Sequence, residues 1–170
     1  SAAMQEMIEQ ITSGHQYRNY ETSAFAQAGK ESRHNMNYWL FGDYVGIGAG
    51  AHSKISFADR IVRQMRYKQP KEYLAKAKAA ESLIQAQHVL IPEDRGFEFM
   101  MNALRLTGGF ETSLFQERTG LPISAIKKPL DEAEQRLLIV RNNLHINPTV
   151  LGRRFLNDLL QIFLPEANSQ

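Results

Sequence analysis

The side chains best suited to chemistry are crowded into Arg33 to Ser53, RHNMNYWLFGDYVGIGAGAHS. His34, Asn35, Asn37, Tyr38 and Trp39 fall within six residues, and Gly42, Gly46, Gly48 and Gly50 then precede His52. Histidine offers a nitrogen that titrates near neutrality or binds a metal. Tyrosine and tryptophan offer flat apolar faces with a polar edge. Glycine lets backbone come close to a ligand. Together these residues describe a place where a large flat ligand meets a tight backbone. The run from Gly46 to Gly50 is not a dinucleotide fingerprint: its spacing departs from Gly-x-Gly-x-x-Gly and no helix is predicted directly after it.

The elements that must position these residues are those of a globular protein. The chain has 170 residues, 43% hydrophobic and 22% charged, enough for one domain or two small ones with a real core. No apolar run approaches the ~20 residues that span a bilayer, and the polar start SAAMQEMIEQ does not read as a signal peptide. A net charge of +2 with mixed signs permits a nucleic-acid partner without arguing for one. The chain has no cysteine, which excludes disulfides, Cys-type zinc sites and a conventionally ligated iron–sulfur cluster within it. A cytoplasmic location is expected.

Apolar spacing predicts a helix over Met4 to Thr12, stopped by Gly14. Tyr17 to Phe25 reads as one strand, with Glu21 and Ser23 on the same face. Gln27 to Asn37 reads as loop and Asp43 to Ile47 as a strand. Ser53 to Phe57 and Arg60 to Tyr67 read as a hairpin around Ala58-Asp59. Lys71 to Gln87 is predicted helical, as is Pro92 to about Leu106 with Phe97, Met100, Met101 and Leu104 on one face. Gly108-Gly109 breaks the chain.

A different rhythm follows. Glu111 to Arg118 is predicted to be a helix closed by Gly120, and Pro122 to Gln135 a second one kinked or split at Pro129. Leu137 to Val140 and Leu144 to Ile146 read as a hairpin with a type I′ turn at Asn142-Asn143. Thr149 to Leu164 reads as a final amphipathic helix ended by Pro165. The expected fold class is α+β, with 4–68 as the last strands of a partial (β/α) barrel with a hairpin, 69–108 a helical linker and 109–165 a winged-helix-like domain.

Three consecutive blocks carry a family resemblance: YETSAFAQAG (Tyr20 to Gly29), SRHNMNYW (Ser32 to Trp39) and GDYVGIGAGAHS (Gly42 to Ser53). They resemble the HemW proteins, part of the HemN-like, oxygen-independent coproporphyrinogen III oxidase branch of radical S-adenosylmethionine (SAM) proteins. FEFMMNALRLTGGF onward is similar to that family's small C-terminal domain. Thr22 departs from the Ile or Val usual in the family after Tyr-Glu. The resemblance implies a longer parent whose N-terminal part holds a [4Fe–4S] cluster and SAM. This chain is then expected to be the C-terminal portion, inactive alone, with the missing radical SAM half as its partner.

The resemblance further implies heme or porphyrin as ligand and a heme-acceptor protein as partner. On the heme side it points to His34 as a ligand to heme iron, with Tyr38 and Trp39 flanking the ring. On the SAM side it points to Gly48, Gly50 and His52; the related oxidase has Ile where His52 stands. The plainer reading makes His34 a loop hydrogen-bonder, Tyr38 and Trp39 packing residues and Gly48 to His52 a tight turn. Arg33, Arg63, Arg66 and Lys68 are suited to propionates, but a charged strand edge accounts for most of them.

Heme binding and delivery is the leading function expected of the parent. One alternative is oxidative decarboxylation of coproporphyrinogen III. Another is a winged-helix module binding protein or nucleic acid through Lys127, Lys128, Arg153 and Arg154. Asp131, Glu132 and Glu134 beside those lysines argue against nucleic acid. His15, His88 and His145 show no mutual metal spacing.

Overall fold

The computed structural model describes residues 2–165. In chain order the elements are helix α1 (Ala2–Gly14), strands β1 (Arg18–Glu21) and β2 (Ala24–Ala26), helix α2 (Arg33–Trp39) and strands β3 (His52–Ser56) and β4 (Ile61–Arg66). Helix α3 (Pro70–Lys78), strand β5 (Ile84–Val89), helix α4 (Pro92–Ala103), strand β6 (Phe110–Glu111) and helix α5 (Thr112–Thr119) follow. A 3-10 turn (Ile123–Ile126), helix α6 (Lys127–Gln135), strands β7 (Ile139–Arg141) and β8 (His145–Pro148) and helices α7 (Val150–Arg154) and α8 (Leu156–Gln161) complete the chain. It divides into two units, residues 1–41 with 96–170 and residues 42–95. The fold is therefore mixed helix and sheet. Among the described residues every sheet is open and antiparallel, so the expected barrel strands are not seen as such.

The larger unit is built on a cluster of phenylalanines. Phe99 on α4 meets Phe41, Phe110 and Phe115 edge-on, at ring separations of 5.8, 5.0 and 5.2 Å. All four rings are essentially excluded from solvent. Edge-to-face pairs add about 0.5–1.5 kcal/mol each beyond area burial. Gly96 keeps α4 close to Ile126, whose Cγ2 would lie 3.2 Å from an added Cβ.

Several predicted elements change here. Tyr17 to Phe25 is not one strand but the β1–β2 hairpin, turned at Thr22 and Ser23. Ser23 is therefore not a strand partner of Glu21; its N–H donates to the Glu21 carboxylate at 3.4 Å. Proline 129 does not split its helix. It sits in the first turn of α6, where no intrahelical donor is missed, and the break falls where the 3-10 turn meets α6. Strand β6, two residues long, was not predicted; it completes a sheet of order β6-β8-β7. The Asn142 turn is not type I′, since neither Asn142, Asn143 nor Leu144 has positive φ. Instead the Asn142 carboxamide oxygen accepts from the N–H groups of Leu144 and His145, both at 2.8 Å. The final helix breaks at Phe155 into α7 and α8.

Helix ends explain other misses. Gln16, Phe41, Ala80 and Leu137 all adopt positive φ just past a helix, at 64°, 54°, 55° and 58°. At α1, Tyr17 N–H reaches Thr12 O and Gln16 N–H reaches Ser13 O, both at 3.0 Å, a Schellman closure. Gly14 is inside the helix and not its stop. Among the described residues only α5 ends as the glycine rule predicts, on Gly120 at φ 72°.

In the smaller unit β3 and β4 form the expected hairpin, in register from His52↔Met65 to Ser56↔Ile61. The stretch Lys71 to Gln87 departs from expectation: α3 ends at Ala79, and Ile84 to Val89 become the third strand, β5. Asp43 to Ile47 is not a strand either, because only Tyr44 bridges, antiparallel, to Lys54.

Candidate functional site

The segment His34 to Trp39, expected as loop, is helical. Ser32 caps it, its hydroxyl accepting from Asn35 N–H at 3.3 Å. Helical geometry puts residues four apart on one face. His34 and Tyr38 accordingly meet edge-on, with ring centroids 4.9 Å apart and planes at 81°. His34 is exposed and Tyr38 half-buried. Trp39, also half-buried, carries the Arg105 guanidinium over its ring at 5.1 Å, and its indole N–H is buried without a hydrogen-bond partner among the described residues. Phe41 then fixes the helix end by placing its ring against Phe99.

The predicted residues fall into two sets. His34, Tyr38 and Trp39 belong to the larger unit, while Gly48, Gly50 and His52 belong to the smaller one. In the smaller unit the glycines have local reasons. A Cβ on Gly46 would lie 2.2 Å from His52 O, so only glycine lets the loop lie on β3. Gly48 and Gly50 take φ of 102° and 72°, and Gly50 N–H donates to Tyr67 O at 2.8 Å. The Ser53 hydroxyl accepts from Gly46 N–H at 3.0 Å, and Arg66 Nε donates to Gly46 O at 3.3 Å. His52 is exposed at the start of β3.

Arg63 donates to the Tyr44 hydroxyl at 2.6 Å. With Arg66, it braces the glycine loop from β4. Lys54, 1% exposed, sits under the same loop. Its ammonium donates to Asp43 Oδ1 at 2.9 Å and to Ser56 Oγ at 3.0 Å. Partial burial pushes the Asp43 carboxyl up. The Ser56 N–H, the Lys54 ammonium and the Ser56 hydroxyl outweigh that and hold it below its ordinary 3.8.

With no cysteine in the chain, these residues do not fit an iron–sulfur cluster. No group of three or more metal-ligating side chains occurs among the described residues. An exposed imidazole set against the Tyr38 ring would be able to offer one nitrogen to a heme iron. Sequence reasoning missed Arg105, Lys54 and Asp43; each owes its role to a partner distant in the chain or across a loop, and no local pattern marks them.

Known proteins resemble this chain along most of its length. The family model described as the HemN C-terminal domain matches residues 90–155. The heme chaperone HemW of Haemophilus influenzae is 43% identical over 172 residues, covering 96% of this chain and 43% of that protein. The Escherichia coli heme chaperone HemW is 37% identical over 171 residues, with the same coverage. A solved structure of E. coli coproporphyrinogen III oxidase (HemN), titled a radical SAM enzyme, aligns with a TM-score of 0.66 at 16% identity. It covers 94% of this chain and 39% of that one, and the likeness shows the fold alone. The chain spans less than half the length of the curated relatives it matches.

Proposed function

Because this chain belongs to the HemW-type, HemN-like family, we propose that it serves a radical SAM parent that binds heme and hands it to an acceptor protein. The observation that carries this reading is the α2 motif: an exposed His34 imidazole held against Tyr38 at 4.9 Å, on a short helix locked at its far end. His34 would supply one nitrogen to the iron. Tyr38 orients the imidazole, and Trp39 with Arg105 offers an apolar, cation-backed edge. Bound heme would supply the iron and its propionates.

In the same reading the cluster and the barrel lie in the part of the parent beyond this chain. Gly48 and Gly50 shape the loop through their positive φ angles, and the exposed His52 is the residue there that would meet SAM. The order α4, β6, α5, α6, β7, β8 with strand pairing β6-β8-β7 supports reading the C-terminal region as a winged helix. That region acts as a docking surface and not as a nucleic-acid reader. No helix of the described residues is long and apolar enough to cross a membrane, and we place the parent in the cytoplasm.

Heme titration followed by Soret absorbance tests the role of His34. The wild-type chain is expected to give a saturable band that shifts and weakens in His34→Ala. An unchanged spectrum and affinity would remove His34 from the site.

A further inference from the structure

Arg105 and Arg153 line a cavity of about 30 Å³ together with Asn19, Thr22, Leu104 and Leu156. All six residues belong to the larger unit. Both side chains are cationic guanidiniums. Neither pairs with a carboxylate among the described residues. Two cationic residues thus belong to the lining of one small cavity, and an anion held there would be drawn to both.

The other polar groups narrow the choice. The Asn19 amide is already committed, donating to Glu21 O at 2.6 Å and Ala24 O at 3.2 Å. The Thr22 hydroxyl donates its one proton to Arg105 O over a long 3.4 Å, a bond it can exchange for one to an anion. Leu104 and Leu156 form the apolar wall. Since one water needs roughly 10–15 Å³ of such space, the cavity takes a head group of two oxygens and excludes a ring. Planar guanidiniums match a carboxylate with paired N–H donors.

Arg105 also stacks on Trp39, whose buried indole N–H has no partner among the described residues. One residue thus touches both the cavity and the helix that carries His34.

We propose that Arg105 and Arg153 form a carboxylate-binding pocket that holds the acid arm of a ligand whose ring system lies outside it, against the Trp39 side of α2. This rests on the heme reading for the ring, and on the cavity alone for the carboxylate.

Two measurements on the whole chain separate those dependences. The first titrates propionate and follows the arginine Nε–Hε resonances by NMR. Saturable shifts of Arg105 and Arg153 are expected, with the Arg105 shift lost in Arg153→Gln, which alters an exposed residue and should leave the fold intact. The second compares heme with its dimethyl ester. The free acid is expected to bind about tenfold tighter or more, as loss of charge-assisted hydrogen bonds implies. That preference should disappear in Arg105→Gln and recover only partly in Arg105→Lys, which keeps the charge without the fork. If neither heme nor ester binds but propionate shifts both arginines, the heme reading fails and the pocket stands. If heme and ester bind equally and propionate shifts nothing, the pocket is overturned and the heme reading survives. A preference for the acid that persists in both glutamine variants also overturns it.

Discussion

The Phe41 ring lies edge-on to Phe99 at 5.8 Å while its own backbone sits at φ 54°. A bulky residue in the left-handed region costs about 1–2 kcal/mol, so the buried ring contact offsets a strained helix end. That relationship anchors α2, and with it His34, Tyr38 and Trp39, to the core of α4.

Truncating Phe99 should therefore loosen both core and site. Phe99→Ala is expected to lower unfolding free energy by about 3–5 kcal/mol in urea titrations. Trp39 is the chain's single tryptophan, so its fluorescence should shift to the red in the same variant if α2 depends on this contact. An unmoved spectrum would show α2 held by other means.

The remaining left-handed helix ends make an opposite prediction. At Ala80, φ 55°, no large side chain compensates for the strain. Ala80→Gly should raise stability by about 0.5–1 kcal/mol. Phe41→Gly relieves the same strain but should destabilise, because it discards the buried ring. Thermal melts of the two variants should move in opposite directions.

Glycine substitutions should separate close approach from backbone freedom. Gly46→Ala places a methyl 2.2 Å from the His52 carbonyl oxygen and should displace the loop from β3. Gly48→Ala meets nothing within 4 Å and costs only its φ of 102°, about 1–2 kcal/mol. Hydrogen exchange at Gly46 and Lys54 should rise sharply in the first variant and little in the second.

Asp43 supplies a pH dependence. Its folded carboxyl ionises below the ordinary 3.8. It contributes stability above that value, lost as pH falls through its lowered pKa. Wild type should weaken between about pH 5 and pH 2 more steeply than Asp43→Asn. At neutral pH that variant leaves buried Lys54 without its carboxylate. The cost should be about 3 kcal/mol, the low end for a broken buried pair, because Asp43 is 45% exposed. Parallel pH–urea surfaces for the two proteins would discard the idea.

Nucleic-acid binding by the C-terminal region is expected to be absent. Lys127 pairs with Asp131 at 2.5 Å, and Arg141 is held by Asp131 and by Glu134 at 3.0 Å, so the basic groups beside α6 are engaged within the fold. Anisotropy of labelled duplex DNA should stay flat even at low salt, where phosphate contacts are strongest. A salt-sensitive rise would restore that reading.

Several elements needed only the sequence. The apolar spacing of α1 and α4, the β3–β4 hairpin and the Gly120 stop of α5 are local signals read by local rules. The blocks around Tyr20 and His34 and the glycine run likewise marked the family without coordinates. Tertiary structure decided the rest. Ile84 to Val89 lies next to an Ala- and Lys-rich helix and becomes a strand because β4 offers it an edge. Helix α2 forms in a polar stretch because Ser32 caps its start and the Phe99 pocket receives Phe41 at its end. Four helix stops use Gln, Phe, Ala and Leu where a rule would look for glycine. The meeting of Arg105 with Trp39 and Arg153 is long-range, and no periodicity carries it. Local spacing could name the side chains able to touch a flat ligand, but only packing across distant segments could set the charge, burial and strain around them.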